Sequence, residues 1–173
     1  MRGLSVDIAT AAERPVVDNL VQLYIHDFSE LYAGTPRSDL AGDGRYVVDI
    51  PLDRWWDGMP DHVPLLLRVD GRLAGFALLN ASPHGRAPVD RNIAEYFVVR
   101  KYRRAGVGTA AAHAIFDRWP GRWEAAVMRE NVAARAFWER CIRSHPGTRD
   151  VVIGDSSNFT WNGAVFRWLI VPV

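Results

Sequence analysis

The feature that most limits what this chain can become is the stretch from Glu95 to Ala110, Glu-Tyr-Phe-Val-Val-Arg-Lys-Tyr-Arg-Arg-Ala-Gly-Val-Gly-Thr-Ala. Glu95 to Val99 is a run of aromatic and β-branched residues suited to a strand. From Val107 onward, apolar residues recur at Val107, Ala110, Ala111, Ala114 and Ile115, the spacing of one helix face. Between the two the backbone must turn sharply, and Gly106 and Gly108 supply residues without a Cβ. The first amides of a helix have no acceptor within it, and the helix dipole places partial positive charge there. With Arg100, Lys101, Arg103 and Arg104 just ahead, the stretch reads as a cradle for an anion, above all a phosphate or pyrophosphate.

Two readings of this loop compete. Gly106-Val-Gly108-Thr-Ala-Ala111 fits the G-x-G-x-x-A form of a dinucleotide-binding turn, a weak signal alone. That turn should follow its strand at once, whereas five residues, Arg100 to Arg104, intervene here. The segment Arg103-x-x-Gly106-x-Gly108 instead resembles the pyrophosphate-binding motif of the GNAT acetyltransferase superfamily. The resemblance extends to Tyr102-Arg103 and to Asn131-Val-Ala-Ala-Arg-Ala-Phe137-Trp138, and covers about residues 64 to 142. A plain strand-to-helix turn would account for the glycines but not for four neighbouring cations.

At 173 residues, with 49% hydrophobic and 24% charged, the chain suits one globular domain over residues 1–173. No apolar run approaches the roughly 20 residues of a membrane span, and no secretory leader is expected. A single cysteine leaves no internal disulfide, which fits a reducing cytoplasm. The five histidines show no metal-ligand spacing, so no metal is expected. The net charge of +1 hides an asymmetry: residues 27–61 hold eight acids against three arginines, and residues 62–173 hold sixteen arginines and lysines against nine acids. The basic part suits a polyanionic cofactor, and the acidic flank is either a site for a cationic acceptor or a solvated surface. The cations are not gathered on one helix, which argues against a nucleic-acid partner.

Along the chain, Leu4 to Ile8 alternates as a half-buried strand, and Thr10-Ala-Ala-Glu13 offers a capping box for a helix reaching about Tyr32. Asp27 falls on or beside that helix's apolar stripe, where it needs a partner or solvent. Residues 33–61 carry scattered glycines and prolines together with Trp55-Trp56, an irregular segment with a tryptophan anchor. Pro64–Val69 and Arg72–Ala81 form a hairpin at Asp70-Gly71, and a further strand starts near Asn92. Arg122–Met128 is the next strand, reached by a parallel crossover. Glu130-Asn131 opens a helix with Val132, Ala133, Ala136, Phe137 and Cys141 on one stripe. Val151–Ile153 and Ala164–Val171 close the sheet, with a polar connection over Asp155 to Asn162. The expected fold is α/β, a GNAT-like mixed, mostly antiparallel twisted sheet flanked by about four helices and splayed between its fourth and fifth strands.

The resemblance implies an acetyl-CoA-dependent N-acetyltransferase acting by direct transfer to a primary amine. It places the pantetheine arm along Phe97, Val98 and Val99, and the pyrophosphate on the turn of Arg103, Arg104, Ala105, Gly106, Val107, Gly108 and Thr109. Asn131, Phe137 and Trp138 are implied to contact the cofactor, although Asn131 is equally an N-cap. Glu95 is the candidate general base, on one strand face with Ile93, Phe97 and Val99, its pKa raised by apolar neighbours. The rival reading pairs Glu95 with an arginine such as Arg122. Trp138 stands where such families often carry a tyrosine that protonates the leaving thiolate, and an indole N–H is no useful acid. Tyr96, Tyr102, water or the acceptor ammonium remain as proton sources, and a non-catalytic acyl-CoA sensor remains an alternative. Cys141, His84 and His113 read as structural. The acceptor, a small molecule or a peptide amine, is not named by any spacing, and the exposed closing strand offers an edge for a homodimer.

Overall fold

In the computed structural model, described for residues 3–84, 87–156 and 162–173, one seven-stranded sheet forms the body. The strands are β1 (Leu4–Ile8), β2 (Val63–Val69), β3 (Arg72–Asn80), β4 (Arg91–Val98), β5 (Gly121–Met128), β6 (Thr148–Ser156) and β7 (Gly163–Ile170). Their order is β1-β2-β3-β4-β5-β7-β6, antiparallel throughout except for the parallel pair β4–β5. Three α-helices accompany the sheet, α1 (Arg14–Ser29), α2 (Val107–Arg118) and α3 (Val132–Ser144), with single-turn 3-10 segments between elements.

The local signals act as their chemistry dictates. Thr10 and Glu13 close the capping box, Glu13 Oε2 accepting from the Thr10 amide at 2.9 Å and hydroxyl at 3.0 Å. Asp70 and Gly71 both have positive φ (49° and 74°), the geometry of a tight two-residue hairpin turn. β3 packs on both faces: Phe76 and Leu78 meet Val17, Leu20 and Val21 of α1, while Ala77 and Leu79 meet Ala112, Ile115 and Phe116 of α2. Residues 33–61 stay irregular and are pinned by Trp55, which is buried and donates its indole N–H to Leu79 O at 2.8 Å.

Two expectations need correction. Of the expected α3 stripe, Cys141 is buried and Ala136 and Phe137 are half-buried, but Val132 (69%) and Ala133 are exposed, and Trp138 and Ile142 are buried beside Cys141. On β4, Ile93 does not share a face with Glu95. Glu95 pairs with Leu78 and Ile93 with Leu79, so Ala94 is an inserted residue and the alternation slips by one. Ile93 packs with α2 and α3, whereas Phe97 packs with α1. Most of the expected polar connection over Asp155 to Asn162, and Gly85 and Arg86, lie outside the described residues.

Candidate active site

The glycine turn has the geometry its sequence calls for. Gly106 caps α2 in the left-handed region (φ 79°), and Arg104 shares that region (φ 60°), a conformation costly for a residue with a Cβ. The first bond of α2 runs from Ala110 N–H to Gly106 O at 3.0 Å, so the amides ahead of it have no helical acceptor. The Arg103 amide is already used, donating to Arg100 O, which leaves the run from Arg104 to Thr109. At Gly108 a Cβ would sit 3.3 Å from the Phe137 ring and 3.5 Å from Val98, so Phe137 walls this end of the turn. Tyr96 stacks on Phe137 and donates to Gly108 O at 2.6 Å.

The cations divide. Arg100 and Arg103 both pair with Asp27 of α1, and Arg103 also donates through Nε to Val98 O at 2.6 Å. Burial pulls the Asp27 pKa up, but the hydrogen bonds from Arg103 and Arg100 outweigh it and hold the carboxyl below its ordinary value. Asp27 thus has the partner its place on the helix demands, and it ties α1 to the basic loop.

Next to the turn the sheet opens. β4 and β5 pair only over Arg91–Ile93 and Trp123–Ala125, and beyond that the strands part. The Val99 N–H donates to Ala74 O, and Phe97 O lies against Gly75, so β3 already takes the peptide groups of Phe97 and Val99. By strand alternation the groups turned toward the gap belong to Tyr96 and Val98. A cleft of about 310 Å³ occupies this opening, lined by Glu95, Tyr24, Asn131 and Trp138 among others.

Glu95 is the central group of that cleft. The bulge at Ala94 turns it toward α1, where Tyr24 donates its hydroxyl to Oε2 at 2.6 Å. Burial pushes its pKa up to about 7, against the opposing effects of the Tyr24 hydrogen bond and the charge of His84. Arg122, its expected rival partner, instead forms a forked pair with Asp90 and holds that carboxyl down at about 2. Asn131 lines the cleft while its Oδ1 caps α3 by accepting from Ala134 N–H at 3.0 Å, so the N-cap and cleft positions coincide. Trp138 is buried against Tyr96 and Phe137.

Neither Tyr24 nor His84 is marked as a site residue by its sequence surroundings. Tyr24 is visible there only as part of an apolar helical stripe, and nothing local tells which stripe position meets a carboxylate 71 residues away. His84 lines the cleft and contacts Glu124 through its backbone N–H (2.5 Å) and Nδ1 (3.1 Å). Glu124 is fully buried and also takes a forked pair from Arg167. Cys141 is buried, its thiol pushed up to about 12, which leaves it inert. Of the eight acids between residues 27 and 61, Asp49 is the one that lines the cleft, and it pairs with Arg37 at 3.5 Å. The mostly antiparallel sheet also lacks the doubly wound parallel order of a dinucleotide-binding domain.

A model of the acetyltransferase (GNAT) family matches residues 20–141. No curated protein matches the sequence. Among solved structures, an acetyltransferase from Thermus thermophilus superposes with a TM-score of 0.62 at 16% identity, covering 98% of this chain and 97% of that one. The ribosomal-protein-S18-alanine N-acetyltransferase from Escherichia coli gives 0.53 at 14% identity, covering 98% and 95%. A spermidine N-acetyltransferase chimera from Vibrio cholerae and hSSAT gives 0.57 at 13% identity, covering 98% and 95%. At such identities the likeness is one of fold.

Proposed function

The chain belongs to the GNAT acetyltransferase family, and from that premise we propose that it moves an acetyl group from acetyl-CoA directly to a primary amine. The observation that carries this reading is Glu95, a carboxyl with a pKa of about 7 set in the cleft where β4 and β5 part. A base poised near neutrality can take a proton from an ammonium and return to its starting state in each cycle.

The chain's own residues fit acetyl-CoA as donor substrate. In this reading the amides from Arg104 to Thr109 take its diphosphate, with Lys101 and Arg104 nearby and Phe137 as a wall. The pantetheine arm lies against the Tyr96 peptide group and the Val98 N–H at the gap, Val98 O being taken by Arg103, and Asn131 and Trp138 close the far side. A peptide N–H of β4 aimed at the thioester oxygen would stabilise charge as it develops there.

The proton count closes without an acid at Trp138. The acceptor enters as an ammonium with three protons on nitrogen. One goes to Glu95, which frees the lone pair to attack the thioester carbon. As the C–S bond breaks, a second goes from nitrogen to the leaving sulfur, and the third stays on the amide. Tyr96 is not needed, and its hydroxyl is engaged with Gly108 O. The acceptor's remainder would meet Ile25, Phe28, Val47 and Ile50 with the Arg37–Asp49 pair beside them, a largely apolar surface suited to an amine on an apolar body.

The test is acetyl-CoA turnover over a panel of primary amines with apolar and cationic bodies, followed by release of the coenzyme A thiol. Turnover on one class, lost in Glu95→Gln, is expected. Thermal protection by coenzyme A with no turnover on any amine would select the sensor reading instead.

A further inference from the structure

We propose that Tyr24 is a positioning residue for Glu95: from α1 its hydroxyl donates to Oε2, keeps the carboxylate ionised and fixes its aim into the cleft. The inference rests on the reading of Glu95 as the base. The contact is short, 2.6 Å, and joins two elements far apart in the chain. The Tyr24 ring is held edge-on by Phe28 (4.6 Å between centroids), Phe76 (5.8 Å) and Phe97 (5.8 Å). With the ring clamped, the hydroxyl cannot follow Glu95 elsewhere, and the carboxylate is the side chain that must settle.

The surroundings give this one donor its leverage. β3 presents Leu78, and β5 presents Ala125, Ala126 and Val127, none of which can solvate a charge. From α1 the titratable group on this side is Tyr24, and the turn beyond the helix adds Tyr32, whose own pKa is raised mainly by burial. The loop after β3 contributes His84, and the irregular 33–61 segment contributes Arg37 and Asp49 at the mouth. Among the described residues, Tyr24 is the side chain that bonds the carboxylate directly. Burial and the adjacent Glu95 charge drive its phenol well above the ordinary range, so it remains a donor at every working pH. A hydrogen bond to the charged form of a carboxyl lowers its pKa. Without it, apolar burial would carry Glu95 further up and leave it protonated, hence useless as a base, at neutral pH.

Tyr24→Phe removes the hydroxyl and keeps the ring contacts. The primary measurement is a carbon-13 titration of carboxyl-labelled glutamates, with the Glu95 signal identified by its loss in Glu95→Gln. The wild-type midpoint should lie at about 7 and the Tyr24→Phe midpoint about one pH unit or more higher. The acid limb of kcat, on the amine that the panel selects, should shift by the same amount while the alkaline plateau is kept. A more acidic phenol, 3-fluorotyrosine at position 24, should move the midpoint the other way. That arm serves if the phenylalanine variant folds poorly. Equal midpoints in all forms would overturn the inference and leave Glu95 as base untouched. A midpoint that moves while the kcat limb stays put, or a limb unaltered in Glu95→Gln, would overturn Glu95 as base, and Tyr24's part in turnover with it. A structural role alone would lower the melting temperature without moving either readout.

Discussion

Glu95→Gln gives the chain a pH-dependent stability difference whose size follows from the structure. The Glu95 pKa stands at about 7 in the folded protein against 4.5 for an ordinary glutamate. Below pH 4.5 both states hold the proton and the residue is neutral in each. Between the two values the folded state binds more protons than the unfolded one, so stability falls as pH rises. Above pH 7 the full cost of keeping an ionised carboxylate in the cleft is present, about 3 kcal/mol at about 1.4 kcal/mol per unit. Glutamine carries no such cost, and its Oε1 can still accept from Tyr24. The stability of Glu95→Gln relative to wild type should therefore rise by about 2 to 3 kcal/mol between about pH 5 and about pH 8. In a domain of this size that is a relative gain of about 4 to 12 °C in Tm. Urea denaturation of both proteins at the two pH values reads it directly, and titrations common to both cancel in the difference. A pH-independent gap would mean that Glu95 ionises like a surface carboxylate and is no base poised near neutrality.

Three further outcomes bear on the rest of the site. Gly106→Val places a β-branched residue at φ 79°, and coenzyme A should lose at least about tenfold in affinity by calorimetry through distortion of the amide run; unchanged affinity would remove the turn from cofactor binding. Asp27→Asn frees Arg100 and Arg103 from their partner, and coenzyme A should bind about two- to fivefold tighter at low salt, with the gain erased at high salt. Weaker binding would show instead that Asp27 holds the arginines in their working pose. Trp138→Tyr should leave kcat within about threefold, because the ammonium supplies the sulfur's proton; a rise of about tenfold would show that an acid is missing.

Much of this site lies in short-range chemistry. The strand from Glu95, the glycine turn and the Asn131 cap each depend on backbone preferences spanning a few residues, which is why the α2 start and the β2–β3 hairpin appear where composition and spacing place them. Glu95 can be singled out because it is a lone carboxylate in an aromatic, β-branched run. Its facing cannot, since a strand without a bulge would set it beside Ile93. The α3 stripe is misphased for a similar reason: Val132 and Ala133 are apolar, but only packing against β5, β6 and β7 decides which side of the helix is inside.

Local steric and hydrogen-bonding rules already specify the sheet-and-helix order, a bare-amide turn at the head of α2 and a carboxylate beside it, so the chain's residues announce all three. What surrounds them comes from packing. The inserted Ala94 swings Glu95 to α1, Tyr24 arrives from 71 residues away, and Asp27 ties two arginines of the basic loop to α1. Bulge register and long-range polar pairing depend on how packed layers meet, and no stretch of chain carries that information alone.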